Sequence, residues 1–315
     1  VVRDLWRRLA SLQTPQQGGQ VPRPRWWVFA LSLGGLAAQC WARYHGWLAA
    51  DLGFAGHLLL AWSTLAALLV AAHGRSFIGS WTGRTWAVLA TATVCLLAFW
   101  HFGRMDAWAR WWAPHIDPLG WCAPLLPFAY FALSGVVLRL VLPLAIGRRW
   151  GIGPADVGLG RGHSERSLVW TYAALYLAVL PFVLRAAGTA AFQAKYPMAR
   201  AIIGSDRTLA WEWLVAYEAL YVLVFVGGEF FWRGWLAMGL ERDLGLYALL
   251  AMVIPYVIAH FGKPLPETLG AIAAGLALGW LALQHRSVWL GVAVHFAVAV
   301  TMDLAAIYRG GLRII

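Results

Sequence analysis

Apolar residues in this chain gather into nine long runs separated by short polar stretches, at about 26–42, 54–72, 86–102, 123–146, 168–186, 211–235, 246–261, 268–284 and 287–308. Within each run the apolar residues are continuous and do not alternate with polar ones at every second position, which predicts helices and not barrel strands. A helix needs about 20 residues to cross the hydrocarbon core, so the shorter runs stand near the limit and the pattern predicts eight or nine spans. Residues 147–167 are rich in glycine and charge. Their GLGRG at 158–162 follows no strand and leads to no Gly-Lys-Ser/Thr, so it reads as a loop and not a phosphate site. Residues 187–210, with Lys195, Arg200, Asp206 and Arg207, predict an interfacial loop or short helix. The predicted organisation is an arginine-rich arm at 1–25, an N-terminal bundle at 26–186, the stretch 187–210, a core at 211–308 and a tail at 309–315. The predicted fold is an all-α polytopic transmembrane helix bundle.

Composition agrees and narrows the functions. Of 315 residues 61% are hydrophobic and 12% charged, against about 25% charged in soluble domains; the mean hydropathy is +0.64. The net charge of +11 comes from arginine, with Lys195 and Lys263 the two lysines. The arginines flank apolar runs, where they anchor helices and set orientation, so the basic balance points to the lipid bilayer and not to nucleic acid. The arm carries Arg3, Arg7, Arg8, Arg23 and Arg25 against Asp4, which predicts a cytoplasmic N-terminus. That arm is too polar for a cleavable signal peptide. Tryptophans such as Trp26, Trp27, Trp47, Trp111, Trp112 and Trp211 stand near run ends, as an interfacial belt requires. Cys40, Cys95 and Cys122 are widely spaced and form no disulfide framework or metal motif; Cys40 and Cys95 read as buried thiols. The abundance of Arg, Ala and Trp, with two Lys and no Asn, fits a GC-rich bacterial genome, and the expected location is the bacterial inner membrane. No internal repeat points to an inverted-repeat transporter, which is kept as a third functional class.

Ionisable residues inside a span are costly and point to function by default. They concentrate in the core. Glu229 and Arg233 lie four apart in WEWLVAYEALYVLVFVGGEFFWRGWL, share a helix face and are placed to form an ion pair. Glu218 stands three turns earlier on the same face. His260 ends the next run, His295 lies well inside the last, and Asp303 follows two turns later. Gly275 and Gly279 allow close helix approach between them. A desolvated carboxylate with two histidines suits hydrolysis: the carboxylate takes a proton from water, one histidine orients the water or serves the leaving amine, and the other stabilises the oxyanion. The same three side chains could instead hold zinc, although HExxH is absent; the leading expectation is no cofactor. Structural roles compete throughout: an ion pair within the bundle for Glu229 and Arg233, a helix end for His260, an acceptor for Glu218, an interface marker for Asp303. Lys263 and Glu267 flank prolines and read as loop residues, and His57, His73, His101 and His115 as interfacial.

Depth constrains this grouping. A sixth helix ending at Trp235 would leave Glu229 and His260 about 30 Å apart, on opposite faces. A helix continued through Leu240 brings Glu229 toward mid-membrane, and the break at Gly262-Lys263-Pro264 lets His260 end at depth, which is tolerated where a cavity is lined. Glu229, His260 and His295 are therefore expected around one water.

Three short patterns in this order resemble the CAAX protease and bacteriocin-processing family (CPBP or Abi), whose signature is EExxxR, FxxxH and HxxxN on successive helices. Here they read Gly228-Glu229-Phe230-Phe231-Trp232-Arg233, Tyr256-Val257-Ile258-Ala259-His260 and His295-Phe296-Ala297-Val298-Ala299. The resemblance covers about 210–308. Gly228 replaces the first glutamate and Ala299 the asparagine, and the chain has no asparagine elsewhere; it is similar to single-glutamate members. The resemblance implies an intramembrane glutamic endopeptidase acting on a membrane-anchored or hydrophobic peptide, with Glu229, His260 and His295 catalytic and Arg233, Glu218 and Asp303 supporting. The alternative is an inactive relative that serves as a membrane binding or immunity protein.

Overall fold

The computed structural model describes residues 23–48, 52–116, 124–163, 166–198 and 200–315. Most of the predicted arm and Cys122 lie outside them. Long helices form at each of the nine apolar runs: α1 (Trp26–Tyr44), α2 (Gly53–His73), α3 (Gly83–Phe102), α4 (Leu126–Trp150), α5 (Arg166–Ala186), α6 (Trp211–Leu244), α7 (Tyr247–Ile258), α8 (Leu265–His285) and α9 (Trp289–Arg309). Among the described residues, seven of these, α2–α6, α8 and α9, are long and apolar enough to cross a membrane. The chain is thus an integral membrane protein. α1 carries Gln39 and Arg43, and α7 has only 12 residues. At 1.5 Å per residue α7 is about 18 Å long, short of the hydrocarbon thickness.

Local chemistry sets the helix limits. Thr82 caps α3 by accepting from the Thr85 amide. Pro127 and Pro266 stand in the first turns of α4 and α8, where a missing N–H costs nothing. Gly245 ends α6 at a positive φ of 54°, a backbone region open to glycine.

α6 is the central element: 44% of its apolar window is buried, against 17% for α5. α4 and α9 pack along it, α5 lies against α9, and α7 is enclosed by α8, α2 and the second half of α6. Every residue of α7 is buried, as a helix apolar on all sides should be. Gly275 and Gly279 do permit the close approach of α8: a Cβ would meet Tyr256 at 3.0 Å and Met252 at 2.5 Å respectively. The glycine-rich stretch is a loop, held by Val288 N–H to Gly158 O at 2.9 Å and His163 N–H to His285 O at 2.8 Å. Residues 190–193 form a short helix. The tail is not free. Strands β1 (Thr208–Leu209) and β2 (Arg313–Ile314) pair in parallel at the start of α6.

Two sequence expectations need correction. His57 is not interfacial; it is buried, with Gln39 Nε2 3.0 Å from its Nδ1. Lys263 and Glu267 are not free loop residues. They form a 2.7 Å ion pair, and Tyr196 donates to Glu267 Oε1 at 2.8 Å.

Candidate active site

α6 runs past Trp235 to Leu244, which places Glu229 near its middle. From Phe230 to Met238 the helix is π-helical. Such stretches are rare and occur most often at functional sites. The helix is pressed there against the loop before α5: a Cβ on Gly234 would stand 2.3 Å from the Val157 carbonyl oxygen. Glu229 sits at the junction, 1% exposed, and Arg233 is fully buried beside it. Arg233 Nη1 lies 2.9 Å from Glu229 Oε1. The approach is off the hydrogen-bond direction, so the contact is chiefly coulombic.

α9 supplies His295, whose Nδ1 lies 2.8 Å from the same Oε1. A carboxylate can only accept, so Nδ1 carries the proton and Nε2 is left as the basic nitrogen. The His295 side chain is 26% exposed, far more than its partner. Phe225 braces the ring at a centroid distance of 4.6 Å. One turn earlier, Gly291 makes room for the carboxylate: a Cβ would stand 2.6 Å from Glu229 Oε2. That oxygen has no partner.

His260 lies in the turn after α7, its Nδ1 2.7 Å from the Tyr256 carbonyl oxygen. Here too the acceptor fixes the proton on Nδ1 and leaves Nε2 bare. The turn is pinned by Thr268, which donates to His260 O at 3.0 Å, and by Tyr44, which donates to Lys263 O at 2.5 Å. Glu229 stands about four turns before the end of α6 and His260 about four turns after the start of α7, so the two reach one level from a shared connection. The Tyr256 ring links them. It lies 4.5 Å from the His260 ring and 4.5 Å beneath the Arg233 guanidinium. His260 and His295 are within electrostatic range of each other.

Glu218 and Asp303 fall elsewhere. Eleven residues put Glu218 about 16 Å along α6 from Glu229. It is an electrostatic neighbour of Asp303. Asp303 is fully buried and accepts from Tyr217 at 2.7 Å. Lys263 and Glu267 border this second cluster. No group of three His, Cys, Asp or Glu among the described residues is placed to hold a metal ion.

Two buried residues escape the sequence reading. Tyr172 of α5 is 1% exposed, has an unpartnered hydroxyl and lies within electrostatic range of Glu229 and Arg233. Arg139, in the middle of α4, is buried over the Phe99 ring. An arginine inside an apolar run is a sequence signal in itself. The tyrosine leaves none, because its surroundings come from helices far along the chain.

Residues 210–301 match the family model described as type II CAAX prenyl endopeptidase Rce1-like. The match contains Glu229, Arg233, His260 and His295. No curated protein and no solved structure matches the chain.

Proposed function

We propose a mechanism for a chain whose residues 210–301 belong to the CAAX protease and bacteriocin-processing family: a membrane endopeptidase in which Glu229 and His295 act as one general base. The observation that carries this is the 2.8 Å contact between His295 Nδ1 and Glu229 Oε1. Glu229 holds the imidazole in one tautomer and stabilises its protonated form, as the carboxylate of a catalytic triad does. Oε1 already faces two donors and Glu229 is 1% exposed. The proton of the attacking water therefore goes to His295 Nε2. This moves the proton acceptor one residue from where the sequence suggested and keeps Glu229 indispensable.

His260 accepts from the same water through its bare Nε2 and orients it. Water oxygen bonds to the scissile carbonyl carbon, and protonated His295 then gives its proton to the leaving amine as the C–N bond breaks. Tyr172, whose hydroxyl has no partner and which lies within electrostatic range of Glu229, serves the oxyanion. The substrate is a membrane-anchored or hydrophobic peptide, since the site lies among apolar helices. Arg75, Arg84, Arg148, Arg149 and Arg161 flank the end where α6 meets α7, which supports a cytoplasmic face there, the N-terminus included, and an inner-membrane location.

The test is a comparison of membrane-protein N-termini in cells carrying wild type or Glu229→Gln. Termini present with wild type and absent with a folded variant are expected; identical sets would sink the proposal. Gly228 and Ala299 favour a second reading, an inactive binding or immunity relative. It predicts that any protective effect persists in His295→Gln.

A further inference from the structure

Arg139 presents a problem that the proposed reaction does not solve. It stands three to four turns from either end of α4, which runs from Leu126 to Trp150. Its residue exposure is 7%, and its Nε and Nη2 have no hydrogen-bond partner. No carboxylate pairs with it among the described residues. A guanidinium stays charged in proteins, so its burial is costly without an anion. The Phe99 ring, 4.2 Å away, attracts the charge but offers no acceptor to the N–H groups.

The surroundings hold this charge in place and leave a space before it. Gly135, one turn earlier, lets the side chain fold back on α4: a Cβ there would stand 2.5 Å from Arg139 Nη2. Across the interface, α6 presents Gly227 and Gly228. Gly227 packs against the α4 backbone, its Cβ direction meeting Gly135 O at 3.1 Å. At Gly228 a Cβ would have Arg139 Nη1, at 3.9 Å, as its one neighbour within 4 Å. α6 therefore leaves side-chain space beside an unpaired cation, one residue from Glu229.

We propose that Arg139 and the space at Gly228 form a carboxylate-binding position for the substrate, a proposal that rests on the endopeptidase reading. A hydrated headgroup does not reach this depth, whereas a carboxylate borne on an apolar peptide does. A planar carboxylate matches the guanidinium fork. Its source is the peptide's C-terminal carboxylate or an acidic side chain, and the experiment separates the two.

The protein is placed in zwitterionic lipid nanodiscs as His295→Gln, which stops turnover and leaves Glu229 to pair with Arg233. The probes are an apolar alanine–leucine peptide with a free C-terminal carboxylate, its C-terminal amide, and amides with an internal glutamate or glutamine. The free acid should bind about ten- to a hundredfold tighter than the amide, the range of one charge-assisted bond. A gain from the internal glutamate alone would assign the position to a side chain. Adding Arg139→Gln should abolish the preference. So should Gly228→Glu, which brings its own carboxylate to Arg139 and serves if the first variant misfolds. Equal binding of all four peptides, or a preference surviving both substitutions, overturns the proposal. Wild-type cleavage is measured in parallel: turnover without carboxylate preference refutes this position alone, and preference without turnover refutes the endopeptidase reading.

Discussion

Arg233 and Arg139 are the same residue in closely similar settings. Each lies on a π-helical stretch of an apolar helix, each is buried, and each covers an aromatic ring. They differ in the partner. Arg233 has Glu229 four residues earlier on its own helix, at 2.9 Å. Arg139 faces a glycine on a neighbouring helix. A buried cation whose anion is built in fixes a geometry; one without an anion stands ready for a ligand. In this molecule the first anchors the carboxylate that holds His295, and the second marks open space beside it.

The largest expected effect comes from making Arg233 resemble Arg139. Glu229→Gln removes its anion and the charge that supports protonated His295; kcat in a reconstituted peptide-cleavage assay should fall by roughly a thousandfold or more. Full retention in a folded variant would refute the role of the pair. The reciprocal change separates the arginines by stability. Arg233→Met strands a buried carboxylate and should cost about 3–5 kcal/mol, whereas Arg139→Met strands nothing and should leave the unfolding midpoint unchanged or raised. Equal losses on thermal unfolding in detergent would mean that Arg139 has a structural anion after all. A smaller effect separates the glycines. Gly291→Ala brings a methyl to 2.6 Å from Glu229 Oε2 and should lower kcat about tenfold, while Gly228→Ala, whose methyl enters the proposed carboxylate position 3.9 Å from Arg139 Nη1, should change kcat less than twofold and act instead by raising KM for a carboxylate-bearing peptide. The smallest effect is expected at the second cluster. Asp303→Asn keeps an acceptor for Tyr217 and should lower kcat less than about threefold; a loss as deep as that of Glu229→Gln would make the two clusters one site.

The nine helices were legible because long apolar runs leave a membrane chain few alternatives. The continuation of α6 beyond Trp235 and the role of Gly275 and Gly279 followed from depth and packing. Glu229, Arg233, His260 and His295 were legible as polar residues in apolar runs and as motif positions. What the sequence withheld depends on contacts between distant helices. The pairing of His57 with Gln39 and of Tyr196 with Glu267 is of this kind, and proline neighbours made Lys263 look like part of an open loop. Arg139 is an intermediate case: its position in an apolar run shows that it matters, but its facing glycine comes from a helix almost ninety residues later. The separation of Glu218 from Glu229 could be counted as three helical turns, but its neighbourhood with Asp303 could not, because that residue comes from another helix.

The π-helical stretch Phe230–Met238 has a consequence for how this protein can change over time. A π turn carries one residue more than the α turn it replaces. Losing a residue there would let α geometry return with the helix beyond Met238 still in register, but would shift the residues inside the stretch relative to Glu229. Arg233 and the Trp235 indole, which donates to Val88 O at 3.2 Å, would lose their seats together. Lineages that keep this site should therefore vary between 229 and 239 by exchange of side chains, while gains and losses of length accumulate in the loops.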